Sequence, residues 1–186
     1  GIDVNQLISG RSDMIDSLLS YIWNREGWEQ TNACLVAVGG YGRRELHPQS
    51  DIDLLIILSE KPNKDIERKI SSLVTFLWDS GLDIGHSIRT LDDCDSYASK
   101  DLTVFTNMME SRSIVGDESL FLSMKKIIDV SRMWSSRDFF LAKCEEQNNR
   151  HRETESSTYN LEPNIKTSPG GLRDFQNIIW IYKRYL

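Results

Sequence analysis

Apolar positions recur at helical spacing through residues 4–24, at Val4, Leu7 and Ile8, then at Ile15, Leu18, Leu19 and Ile22. Residues three and four apart share one side of a helix, so this pattern predicts an amphipathic helix with one buried stripe. The period then changes. "CLVAVGG" (34–40) is a short continuous apolar run closed by two glycines, and it predicts a buried strand running into a turn. "DIDLLIILS" (51–59) predicts a second strand, ended by the breaker Lys61-Pro62-Asn63. Helical period returns over 64–79 through Ile66, Ile70, Leu73, Val74, Leu77 and Trp78. "LDIGHSIRT" (82–90) is short, β-branched and alternating, and predicts a third strand. Its alternation turns Ile84, His86 and Ile88 toward the core and sets Asp83, Gly85, Ser87 and Arg89 on the opposite face. From Leu91 the pattern is helical almost to the end. One break, "NLEPNIKTSPGGLRD" (160–174), reads as a structured loop leading into a helix at Leu172. The fold class expected is α/β: a small mixed sheet of these strands flanked by helices, followed by a helical segment.

Composition narrows the class. At 186 residues the chain holds one ordinary domain with a piece of a second, and it reads as part of a longer protein. With 39% hydrophobic and 27% charged residues it has the make-up of a globular protein in water. No apolar run approaches the roughly 20 residues that span a bilayer, and no charged-then-apolar leader opens it. A net charge of −6 argues against a duplex DNA partner, since phosphate binding needs a basic face. Cys34, Cys94 and Cys144 are odd in number and far apart, with no CxxC pair. They indicate neither a zinc site nor a disulfide framework, and a cytoplasmic location is expected.

The chemistry concentrates between residues 36 and 57. Asp51 and Asp53, one residue apart at a strand entrance, point to the same face while Ile52 and Leu54 point to the core. Two carboxylates this close repel unless a cation neutralises them. An all-oxygen pair suits Mg²⁺ (or Mn²⁺), which binds through one or two carboxylates plus substrate phosphates. Gly39 and Gly40 follow a strand and precede a short helix, where bare backbone N–H groups donate to phosphate oxygens. Arg43 and Arg44 add positive charge, and Ser50 offers a hydroxyl beside the first aspartate. A lone D-x-D at a strand start is ordinarily a solvated turn, and a lone Gly-Gly is ordinarily a bend. The ordered combination is more specific: apolar strand, GG, ten residues, D-h-D-h, apolar strand.

That combination resembles the DNA polymerase β-type nucleotidyltransferase superfamily. "LVAVGGYGRRELHPQSDIDLL" is similar to the N-terminal motif of the bacterial PII uridylyltransferase/uridylyl-removing family, GlnD. The likeness continues through "LDIGHSIRTLDDC", "DLTVFTNMMESRSIVGD", "EEQNNRH" and "YNLEPNIKTSPGGLRD". The resemblance implies a nucleotidyltransferase domain over 1–150, with 151–186 as a loop and the start of a helical region. It implies UMP transfer from UTP to a tyrosine of the PII protein, with Asp51 and Asp53 as catalytic metal ligands. Gly39, Gly40, Arg43 and Ser50 would then bind nucleotide. Where the family has glycine in a GYGRGEL pattern, this chain has Arg44, which would strain the loop if the position needs a positive φ.

Several residues carry two readings. The superfamily often places a third acid on a neighbouring strand; Asp83 is the candidate here, while analogy with the related adenylyltransferases falls on Gly85. His47 lines the nucleotide pocket or orders the turn before Pro48. Arg173 reaches the nucleotide or is an exposed residue at a helix start. Asp101, Glu110 and Arg112 read as surface residues, and the five tryptophans as packing. None of His47, His86 and His151 precedes an aspartate, so an HD-type hydrolase is not expected in this chain. Two alternatives stand beside the uridylyltransferase: a glutamine synthetase adenylyltransferase-like enzyme, which shares GG…DxD and a PGG[LI]R[DE] segment, and a non-catalytic regulatory module.

Overall fold

The computed structural model describes residues 3–129, 131–156 and 164–185. Helix α1 (Val4–Arg25) starts where the Asp3 side chain accepts from the Asn5 N–H, and it buries Ile15, Leu19, Ile22 and Trp23. A 3₁₀ turn at Trp28–Gln30 follows, and Trp28 stacks on Trp23 with ring centroids 4.4 Å apart. Strand β1 (Ala33–Ala37) leads into a four-residue helix, α2 (Gly39–Gly42), and strand β2 (Ile52–Leu58) runs back antiparallel to β1. Helix α3 (Lys64–Asp79) begins where the Asn63 side chain accepts from the N–H groups of Asp65 and Ile66. It is the crossover that a parallel pairing needs, and it delivers β3 (Ile84–Thr90) alongside β2.

Helices α4 (Leu91–Ala98) and α5 (Leu102–Met109) then precede strand β4 (Arg112–Gly116) and helix α6 (Glu118–Ile127). The sheet order is β3-β2-β1-β4, so the sheet is mixed and β3 and β4 are its edges. One face carries Leu35, Ala37, Ile52, Leu54, Ile56 and Leu58 against the stripes of α1 and α3. The other face carries Cys34, Val36, Leu55 and Ile57, and α6 lies against β1 and β2 there. Buried on both faces, β2 is a continuous apolar run from Leu54 to Leu58 rather than an alternating one.

Two expectations are corrected. Strand β4 lies inside a region that reads as helical; it is five half-buried or exposed residues at an edge, and its partner β1 is distant in sequence. His86 does not face the core. It is exposed on edge strand β3, edge-on to Trp78 at 5.9 Å, and Ile88 beside it is 36% exposed. By packing, the chain falls into two compact units, 1–128 and 129–186, and in the second α7 (Ser136–Ser156) packs with α8 (Leu172–Tyr185). Of the expected loop at 160–174, residues 160–163 lie outside the described residues. Residues 164–171 form turns stapled by the Asn164 side chain, which accepts from the N–H groups of Lys166 and Thr167.

Candidate active site

Three chain segments converge at one end of the sheet. Because β1 and β2 are antiparallel, the exit of β1 lies beside the start of β2, and the Val38 N–H donates to the Asp53 carbonyl at 3.0 Å. Because β3 is parallel to β2, its start lies there too, with Gly85 paired to Asp53. The α2 turn, Asp53 and Gly85 therefore meet at one point.

Glycine is required at both flanks of the Asp53 carboxylate. Gly39 has φ +59°, and a Cβ there would stand 3.1 Å from Asp53 Oδ2. A Cβ at Gly85 would stand 2.7 Å from Asp53 Oδ1. Both oxygens are thus bordered by bare backbone, and the carboxylate is half-buried at the head of a strand fixed by Ile52 and Leu54. Asp51 is exposed one residue before the strand. An all-oxygen pair with room kept beside one member fits a hard divalent cation of the Mg²⁺ type.

Buried ion pairs hold the glycine turn. Gly42 lies so close to the end of α5 that a Cβ would fall 2.2 Å from the Glu110 carbonyl oxygen and 3.0 Å from that of Ala37. Glu110 is 5% exposed, and its carboxylate accepts from Arg43 Nη1. Arg43 Nε donates to Glu45 at 2.7 Å. Burial lowers the Arg43 pKa, but the hydrogen bonds from Glu110 and Glu45 outweigh it and hold the guanidinium charged above its usual range. On the other side, the buried Tyr41 hydroxyl donates to Asp16 Oδ1 at 2.5 Å, and Arg112 donates to the same carboxylate at 2.7 and 3.1 Å. Burial and the bond to Asp16 push the Tyr41 pKa far up. Glu110 and Arg112 are therefore not surface residues, as their sequence positions suggest. Arg43 is engaged by two carboxylates, and its Nη2 comes within 3.7 Å of where a Gly40 Cβ would stand.

A scan against family models matches residues 20–91 to the nucleotidyltransferase domain and residues 138–186 to the GlnD PII-uridylyltransferase domain. Among curated relatives, a bifunctional uridylyltransferase/uridylyl-removing enzyme of Azotobacter vinelandii is 49% identical over 99% of this chain. One of Pseudomonas putida is 48% identical and one of Pseudomonas fluorescens is 49% identical over the same share. Nearly the whole chain thus resembles these enzymes, with a nucleotidyltransferase match in its first half and a GlnD PII-uridylyltransferase match at its end. It spans about a fifth of the length of these relatives, 21% of each. A solved toxin–antitoxin structure with AMP-PNP aligns over 75% of the chain and 95% of its own, with TM-score 0.38 and 12% identity.

The remaining expected residues are placed as follows. Asp83 lies just outside β3, exposed, and its carbonyl accepts from the Ile52 N–H at 2.8 Å. Among the described residues no three His, Cys, Asp or Glu side chains gather to hold a metal, so Asp83 does not complete a preformed trio with Asp51 and Asp53. Ser50 is half-buried, and its N–H donates to the His47 carbonyl at 3.0 Å. His47 itself is exposed, and its carbonyl also accepts from Arg11. Arg173 belongs to the second unit, with its guanidinium 5.4 Å from the Trp180 ring centre. Arg44, where the family has glycine, sits at φ 62°, the strained alternative. Asn107 was missed by sequence reasoning. Only the helical phase of α5 brings its amide oxygen within 3.9 Å of where a Gly39 Cβ would stand.

Proposed function

We propose that this chain carries the uridylyl-transferring activity of its family, moving UMP from UTP to a tyrosine of the PII protein and releasing pyrophosphate. The observation that supports this most is the Asp53 carboxylate at the head of β2, bordered by Gly39 and Gly85 and faced by the α2 turn. Asp51 and Asp53 would hold Mg²⁺ or Mn²⁺, which supplies Lewis-acid polarisation of the α-phosphate and offsets charge on the leaving pyrophosphate. The first N–H groups of α2, which have no partner within a helix, donate to oxygens of the outer phosphates at Gly39 and Gly40. Glu110, through Arg43, keeps that turn in place, so the phosphates meet a preformed cradle. Most of the rate then comes from positioning and electrostatics, the ordinary economy of phosphoryl-type transfer. A nucleotide and a protein acceptor are the partners in this reading, and no described helix is long and apolar enough to cross a membrane.

The test is a transfer assay with labelled UTP, ATP, CTP and GTP against purified PII. UTP-specific, metal-dependent labelling supports the proposal. Preference for ATP with glutamine synthetase as acceptor would replace it with the adenylyltransferase reading. No labelling with any nucleotide would leave a regulatory module.

A further inference from the structure

Helix α5 brings a side chain to the nucleotide turn that no sequence motif announces. Its far end is locked to α2 twice, by the Glu110 carbonyl against Gly42 and by the Glu110 carboxylate on Arg43. Residues three apart share a helix face, so the face that carries Glu110 also carries Asn107 one turn earlier. That turn places the Asn107 amide beside Gly39, at the point that Asp53 Oδ2 borders from the sheet side. Asn107 is exposed, and no hydrogen bond to its side chain occurs among the described residues. A neutral amide across the glycine turn from the Asp53 carboxylate adds no further negative charge. It offers two N–H donors to a ligand that brings negative charge of its own.

We propose that Asn107 is a substrate-contacting residue: its amide, whose Oδ1 lies nearest Gly39, turns about χ2 so that an N–H donates to a phosphate oxygen of the metal-bound nucleoside triphosphate there. This rests on the reading of the Asp51/Asp53 site as a nucleotide site and adds the wall opposite the sheet. The same face of α5 explains why the buried Glu110–Arg43 pair matters. It fixes the phase of the helix and hence where the amide sits.

The experiment is calorimetric titration of Mg²⁺–UTP into the full-length protein, as wild type, Asn107→Ala and Asn107→Asp, with thermal melts of each protein before ligand. The side chain is exposed, so the ligand-free melts should coincide. A lost hydrogen bond to a charged oxygen weakens UTP binding about tenfold to a hundredfold in Asn107→Ala. Asn107→Asp, which sets a carboxylate against phosphate, weakens it further. In turnover, KM for UTP rises with KM for PII unchanged. Equal affinity of wild type and Asn107→Ala overturns the assignment while the site reading stands. Tighter binding by Asn107→Asp overturns it too, because the position would then be a metal ligand rather than a donor. A wild-type protein that binds no Mg²⁺–UTP overturns both readings together.

Discussion

Arg44 pays for its place with strain. A left-handed backbone costs a side-chain-bearing residue about 1–2 kcal/mol, and glycine avoids that cost. Its partner, Asp13 at 2.9 Å, forms an exposed ion pair that contributes little. Arg44→Gly is therefore expected to stabilise the protein by about 1 kcal/mol, seen as a higher urea midpoint at unchanged slope. The consequence of Arg44 was legible as a condition, since the sequence showed the residue but not the φ that makes it costly. Gly85 poses the opposite case. A Cβ there meets the tip of Asp53 rather than backbone, so Gly85→Ala should turn the carboxylate aside at small cost in stability. Transfer should fall by about a hundredfold, the usual penalty for an ångström of misplacement, with the melting temperature almost unchanged. A variant that keeps full turnover would remove Asp53 from its role.

Elements with a strong period and a cap were plain in the sequence. Helix α3 falls on 64–79 as its apolar spacing demands, with Asn63 capping it after Pro62. Strand β4 was not plain, because five half-buried or exposed residues between two helices carry no period of their own and owe their conformation to β1. The same tertiary origin hid the role of Glu110. In sequence it is a lone acid two residues from an arginine, and its true partner, Arg43, lies 67 residues away. Breaking that pair leaves a largely buried guanidinium short of a counter-charge. Glu110→Ala should cost about 3–5 kcal/mol, and Glu110→Gln, which keeps a hydrogen-bond acceptor, should cost less. Chemical denaturation of the two variants beside wild type measures the difference. Equal stabilities would mean that α2 and α5 are held by packing alone.

At the scale of the molecule, ionisable groups buried around the sheet set a pH limit. Burial is the main cause that raises Cys34 from 9.0 to about 11 and Cys94 from 9.0 to about 12, and Tyr41 rises as well. The folded state thus holds these protons more tightly than the unfolded chain. Their contribution is complete below about pH 9 and is lost as pH climbs through the folded values. The midpoint of urea unfolding should be level from pH 7 to 8.5 and fall from pH 9 to 11. In the native protein near pH 8, an alkylating reagent should modify Cys144, which is partly exposed, and spare Cys34 and Cys94. The candidate site could be located in the sequence because strand, glycine pair and D-x-D are contiguous. Gly85 appeared there only by analogy, and Asn107 not at all, because strand pairing and helix phase are what bring them beside Gly39 and Asp53.

The central claim is that Asp53, with Asp51, holds the metal on which uridylyl transfer depends. Substituting Asp53→Asn keeps the shape of the side chain and removes the charge, while the core contacts of Ile52 and Leu54 remain as they are. The decisive measurement follows labelled UMP from UTP onto PII in Mg²⁺, for wild type and Asp53→Asn, with the melting temperature of each taken with and without Mg²⁺–UTP. The account predicts rapid labelling and a ligand-raised melting temperature in wild type. In the variant it predicts loss of labelling by several orders of magnitude, no ligand-induced shift and an intact ligand-free fold. Near-normal labelling by a folded Asp53→Asn protein would contradict it.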